Sequence, residues 1–261
     1  MLGQSHAEND QDRLAIGCLE RSVEADPYNL EALLALGVSY VNELDSARAL
    51  RNLKAWVEHN PKYAGLELKQ DAYSDGTLMD EVMQLMRSAE QWDFVMQLMH
   101  SAEQWDTADA DVKVVLGVLF NVSRDYDAAV GAFREALRLR PEDHSLWNKL
   151  GATLANSNRS EEALPVYEEA LKRKPKYARA WLNLGISQAN LSRYEQAASC
   201  YMRALTLNPA AKHIWAYLRI VFTSMDRFDL VQKAAAEDVT VFDGEFPATA
   251  PNSGVQFDSV W

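Results

Sequence analysis

Basic residues are scarce in this 261-residue chain: 26 Lys and Arg stand against 38 Asp and Glu, a formal net charge of −12. A chain so poor in cations makes a weak general ligand for nucleic-acid phosphates or anionic membranes, whose affinity comes from basic patches. No run approaches the roughly 18 consecutive apolar residues that a membrane-spanning helix needs. Two cysteines, Cys18 and Cys200, are too few for a disulfide framework, so a reducing, cytoplasmic setting is expected. The first residues, MLGQSHAEND, lack the basic-then-apolar order of a secretion signal. Eleven Gly and eight Pro exclude a collagen-like or low-complexity chain. Catalytic signatures are missing as well: there is no glycine-rich phosphate loop, no G-x-S-x-G elbow and no H-E-x-x-H pair. The five histidines have no metal-ligand spacing to one another or to cysteine, so no metal, cofactor or enzymatic activity is expected.

What is present is internal repetition. Gly117, Gly151 and Gly185 lie 34 residues apart, as do Gly3 and Gly37, and each follows a leucine. Twelve residues beyond each glycine stands an alanine (Ala15, Ala49, Ala129, Ala163, Ala197), and four further on a large apolar residue (Leu19, Leu53, Phe133, Tyr167, Tyr201). A proline closes each unit: Pro27, Pro61, Pro141, Pro175 and Pro209. Trp147, Trp181 and Trp215 keep the same step. This is the W-x2-L-G, A-x3-F and closing-proline pattern of the tetratricopeptide repeat, two antiparallel helices per unit. One such pair cannot bury its own apolar face, so the units must stack into a right-handed, all-α superhelix with a concave groove.

The spacing divides the chain into N-terminal repeats over 1–63, the first beginning part-way through its unit; three regular repeats over 110–211; a C-terminal helical segment over 212–242; and an irregular tail over 243–261. Over 64–109 the pattern fails, and a degenerate hinge repeat is expected. It holds a tandem duplication, VMQLMRSAEQWDF (82–94) followed by VMQLMHSAEQWDT (95–107), identical at 11 of 13 positions. Thirteen residues advance a helix by about 220° beyond whole turns, so both copies cannot present one face to one neighbour.

In this repeat the first helix of each pair lines the groove, and polar side chains at helical spacing there are informative. The stripe reads Val38, Asn42 and Glu43 in the second unit, and Asn121 in the third. It continues as Asn148, Lys149, Ala152 and Asn156 in the fourth, then Arg179, Asn183, Ser187 and Asn190 in the fifth. A carboxamide carries a donor and an acceptor together and can pair with both groups of an extended peptide backbone. Small residues between asparagines leave room for side chains, and Lys149 and Arg179 suit a terminal carboxylate. Asn42, Asn156 and Asn190 also fall where a helix-ending left-handed cap is common, and that reading stands beside the peptide-binding one.

Beyond the repeat signature, WNKLGATLAN, NLGIS-x2-N, VVLGVLFNVSRDYDAAV and LLALGVSYVNE closely resemble the repeat domain of the type-1 peroxisomal targeting signal receptor. The likeness runs from residue 1 to about 247, the duplicated segment apart, and that family has a degenerate middle repeat acting as a hinge. The resemblance implies binding of cargo that ends in Ser-Lys-Leu or a close variant, by a receptor cycling between cytoplasm and peroxisomal membrane. It implies that Asn42, Asn148, Lys149, Arg179, Asn183 and Asn190 hold the peptide backbone and its carboxylate. Val38, Ala152 and Ser187 would line side-chain pockets, and Glu43 would favour the penultimate lysine. Val41 departs from the family, whose members often carry threonine there. The family's N-terminal half holds W-x3-F/Y motifs for the peroxisomal docking proteins. No such motif occurs here, so this chain is expected to bind cargo without completing import alone. The alternatives are an adaptor for another C-terminal peptide, of the chaperone type or a channel-regulating relative, and a scaffold that uses the convex face.

Overall fold

The computed structural model describes residues 12–43, 45–63, 82 and 109–242; the duplicated segment beyond Val82 and the tail over 243–261 lie outside them. Among the described residues every regular element is helical. In chain order they are α1 (Asp12–Ala25), α2 (Leu30–Asn42), α3 (Ser46–His59), α4 (Ala110–Val122), α5 (Tyr126–Leu139) and α6 (His144–Asn156). There follow α7 (Ser160–Arg173), α8 (Ala178–Asn190), α9 (Tyr194–Leu207), α10 (Lys212–Ser224) and α11 (Phe228–Lys233). Short 3-10 turns cover Pro61–Tyr63, Ala234–Ala236 and Val239–Phe242.

Local sequence accounts for where these helices begin. Asn29, Asp45, Asp109, Asp125 and Asp143 stand at N-caps, and each side chain accepts from a backbone N–H two or three residues on. That satisfies donors which the first turn cannot otherwise pair. The turn inside each repeat is set by a left-handed residue at 34-residue intervals: Arg124, Asn158, Ser192 and Asp226 have φ of 63°, 61°, 59° and 57°. The residue after each donates back to the carbonyl five positions earlier, as in Asp125 to Phe120 (2.8 Å) and Arg159 to Leu154 (2.9 Å). The turn geometry is therefore the same in all four units, although only one of the four residues is an asparagine.

Within a unit the helices meet at the repeat glycine. A Cβ placed on Gly151 would lie 2.6 Å from Cε1 of Tyr167, and one on Gly117 would lie 2.7 Å from Cε1 of Phe133. The partner is always sixteen residues on, Leu53 for Gly37 and Tyr201 for Gly185. The large residue of A-x3-F thus lies flat against a bare stretch of backbone, and both Tyr167 and Phe133 are 1% exposed. The alanine of that pair is equally enclosed: Ala129, Ala163 and Ala197 have no exposed surface.

Successive units are joined by a continuous core. Leu146, Leu150 and Leu154 of α6 pack with Val130, Phe133 and Leu137 of the unit before and with Tyr167 and Leu171 of their own. Ile214, Trp215, Leu218 and Phe222 of α10 close the far end together with Tyr201, Leu205 and Phe242. The repeat tryptophans add a polar tie: Nε1 of Trp147 donates to the carbonyl of Pro141 (2.8 Å), and that of Trp181 to the carbonyl of Pro175 (2.9 Å). On the surface Arg159 pairs with Asp127 (3.3 Å) and Arg193 with Glu161 (2.9 Å), the same joint one repeat apart. Lys62 reaches Asp109 at 3.0 Å, tying the end of the N-terminal repeats to the start of α4.

Candidate peptide-binding groove

A cavity of about 1040 Å³ is lined by the first helices of successive repeats, α2, α4, α6 and the start of α8. Helical spacing explains which side chains reach it. Residues at the second, fifth, sixth and ninth positions of these helices recur on one face, and Glu31, Asp111, Ser145 and Arg179 share the second position. Seven of the residues singled out from the sequence line the cavity together: Val38, Asn121, Asn148, Lys149, Ala152, Arg179 and Asn183.

The polar members are held by one another. Asn148, 5% exposed, accepts through Oδ1 from Nδ2 of Asn183 at 3.1 Å, so two amides from adjacent repeats are locked side by side. Asn121 donates through Nδ2 to Oγ1 of Thr153 (2.9 Å), and that hydroxyl donates to the backbone carbonyl of Lys149 (3.0 Å). The Lys149 ammonium donates to Oγ of Ser145 at 2.6 Å, which folds its chain back along α6. Positions that are fixed before a ligand arrives lose less freedom on binding.

Other expected residues stand elsewhere. Asn42 is the last residue of α2, and its side chain lies outside the described residues. Glu43 is exposed beyond the end of α2 and pairs at 3.6 Å with Arg13, itself 91% exposed, an arrangement worth little in water. Asn156 and Asn190 end α6 and α8 and are exposed; Asn190 makes a long 3.4 Å bond to Oγ of Ser160. Neither takes the left-handed cap: that conformation falls two residues later, on Asn158 and Ser192. Ser187 is fully buried, with its side chain against that of Tyr167. Glu43, Asn156, Asn190 and Ser187 are absent from the cavity lining.

Sequence reading passed over the ion pair Asp111–Arg140 (2.7 Å), both of whose members line the cavity, as do His144 and Tyr177. The hydrogen bond to Asp111 holds the Arg140 guanidinium above its ordinary pKa despite partial burial. The signal for Asp111 was available, because it precedes Ser145 and Arg179 by one and two repeat lengths. Among the described residues no cluster of three or more His, Cys, Asp or Glu is placed to hold a metal, and no helix is long and apolar enough to cross a membrane. Cys200 is buried and its thiol is pushed up to about 12 by that burial.

A stack of helix pairs around a groove lined by amides, by Lys149 and Arg179, and by Arg140 in its pair with Asp111 defines a tetratricopeptide-repeat protein. The family model described as the Cilia and flagella-associated protein 70 C-terminal domain matches residues 68–237. The PEX5-related protein of Mus musculus is 40% identical over 172 residues, 62% of this chain and 28% of the mouse protein. Peroxisome biogenesis protein 5 of Arabidopsis thaliana is 43% identical over 134 residues, 51% of this chain and 16% of the plant protein. The Peroxisomal targeting signal receptor of Eremothecium gossypii is 37% identical over 163 residues, 62% of this chain and 26% of the fungal protein. Among solved structures, a MamA RS-1 double mutant is 18% identical with a TM-score of 0.49, covering 82% of this chain and 94% of that one. The chain belongs to the tetratricopeptide-repeat family that the matching model describes. It spans about a quarter of the length of the mouse and Eremothecium relatives it matches.

Proposed function

We propose that this chain is the cargo-binding repeat domain of a peroxisomal import receptor and that it captures the free C-terminal tripeptide, Ser-Lys-Leu or a close variant, of matrix proteins. The observation that carries the reading is the convergence of Asn148, Asn183, Lys149 and Arg179 on one cavity that also holds the small residue Ala152. The paired amides read an extended backbone, which offers donors and acceptors in alternation. Lys149 and Arg179 neutralise the terminal carboxylate, and charge-assisted bonds of this kind are about twice as strong as neutral ones. Ala152 and Val38 leave space for side chains. Binding is reversible and no bond is made or broken, so the protein acts as a receptor and not as an enzyme. It works in the cytoplasm and at the peroxisomal membrane, where a receptor of this kind meets docking proteins. An adaptor for acidic chaperone tails gathers several cations in one groove; of the three Lys and Arg here, Arg140 is already paired with Asp111, and the amides of Asn121, Asn148 and Asn183 argue for the tripeptide.

Fluorescence anisotropy tests the reading. A peptide ending in Ser-Lys-Leu with a free acid binds, and the same peptide as its C-terminal amide does not. Equal affinity of the two would remove the carboxylate from the account.

A further inference from the structure

Ser145 is a polar residue at a position that the fold leaves open. It stands second in α6, and the second residues of α2, α4, α8 and α10 are Glu31, Asp111, Arg179 and His213, five residue types in five units. Six residues further on, glycine recurs in four of those units, because packing demands it there. Ser145, Lys149 and Arg179 line one cavity. Ser145 lies one turn before Asn148 and Arg179 one turn before Asn183, and the 3.1 Å bond between those two amides clamps α6 to α8. Ser145 and Arg179 therefore stand on the same side of that clamp. The Lys149 ammonium, on a flexible four-carbon stem, donates to Oγ of Ser145 at 2.6 Å. A hydroxyl has a hydrogen to give besides its acceptor sites, and among the described residues the Ser145 hydroxyl makes this bond alone. Accepting from a cation polarises it and strengthens it as a donor. Two carboxylates of the lining are already engaged. Asp143 accepts from the N–H groups of Ser145 and Leu146 (2.9 and 3.2 Å), and Asp111 from Arg140 (2.7 Å).

We infer that Ser145 belongs to the carboxylate site: its hydroxyl steadies the Lys149 ammonium and gives its own hydrogen to the terminal carboxylate of the bound peptide. This rests on the tripeptide reading above and deepens it. The acid then meets the ammonium, the Arg179 guanidinium and a neutral hydroxyl together. A carboxylate offers about four lone-pair sites, so all three donors are accommodated. A C-terminal amide keeps one acceptor oxygen and brings two hydrogens of its own toward the cations, so the hydroxyl adds to the preference for the acid.

Anisotropy titrations with a free-acid peptide ending in Ser-Lys-Leu test the inference on Ser145→Ala, Ser145→Thr, Lys149→Ala and the double variant of Ser145→Ala with Lys149→Ala. Ser145→Ala is expected to bind about tenfold more weakly than the wild type. Alanine is the best helix former, so this loss does not come from the helix itself. Ser145→Thr, which keeps the hydroxyl, is expected to stay within about twofold of the wild type. Where Lys149 is already alanine, the serine change is expected to cost only about threefold, because donation to the carboxylate survives while the steadying of the ammonium has gone. A residue that served the fold alone would cost as much in either background. Three results overturn the inference: Ser145→Ala binding within about twofold of the wild type or tighter, Ser145→Thr as weak as Ser145→Ala, or a serine effect in the Lys149→Ala background that is undiminished or absent. The wild type is titrated with acid and amide in parallel. Equal affinity there is failure of the tripeptide reading, whereas a wild-type preference for the acid with an unchanged Ser145→Ala is failure of this inference alone.

Discussion

The amide nitrogen of Asn183 donates to the carbonyl oxygen of Asn148 at 3.1 Å, joining α8 to α6 across 35 residues of sequence. Each side chain holds the other in place, and both line the same cavity. Replacing either by alanine leaves the other without its partner in a half-buried site. Asn148→Ala or Asn183→Ala is expected to weaken peptide binding by about 1–3 kcal/mol, the cost of an unmade bond at a desolvated polar group. Helical circular dichroism should stay unchanged. Titration of the double variant adds a sharper check: the two losses are not additive, because the residues share one bond.

Lys149→Ala and Arg179→Ala are expected to lower affinity for the free acid far more than for any residual amide binding. Their effect should shrink as salt is raised, since it is charge that is being lost. Isothermal titration at two ionic strengths measures both. An acid-to-amide ratio that stays at the wild-type value in each variant would remove these cations from carboxylate recognition.

Two glycine-to-alanine substitutions are expected to move stability in opposite directions. At Gly151 the new methyl meets the Tyr167 ring at 2.6 Å, and overpacking of about 1–3 kcal/mol outweighs the ~1 kcal/mol gain in helix propensity. Gly131, in α5, has nothing within 4 Å of its added Cβ, so Gly131→Ala is expected to stabilise by about 0.5–1 kcal/mol. Urea unfolding of the two variants side by side decides the matter by sign alone.

Alkylation at pH 8 should distinguish the two thiols. Cys200 is 7% exposed and its thiol is raised to about 12, so it stays protonated and shielded in the native protein. Cys18 is only partly covered. Mass spectrometry should find native label on Cys18 alone, and on both residues after denaturation. The raised value has a consequence for stability too. Above the ordinary thiol value of 9.0, the unfolded chain releases a proton that the native one keeps. The contribution of Cys200 is therefore complete below that pH and declines as pH climbs toward 12.

The helical architecture was legible because its causes are local and recur. A 34-residue period of glycine, alanine, a large apolar residue and proline places the helix pairs over Leu30–His59 and Ala110–Leu207, since each class of residue answers one packing need. Groove residues inside the first helices, such as Asn148 and Asn183, were legible for the same reason: their helix position dictates their face. Residues at helix ends were not. Asn156 and Asn190 keep the 34-residue step, yet the last turn rotates them out to solvent, and the residue that reverses the chain lies two places on. Ser187 stands 34 residues after Thr153, not after Ala152, and at that tenth helix position Leu119, Thr153 and Ser187 are all buried beneath the floor. The Asp111–Arg140 pair spans 29 residues and joins the start of α4 to the end of α5, a distance that periodicity does not reveal.

The ring of Tyr167 lying flat on Gly151 is one joint in a column of equal joints, with Phe133 on Gly117 before it and Tyr201 on Gly185 after it. In a column where each unit rests on its neighbours alone, a tilt introduced at a single joint displaces every unit beyond it. The mouth of the groove thus answers to positions such as Gly151 and Tyr167, which lie outside its lining, and an edit at that joint shifts the far rim.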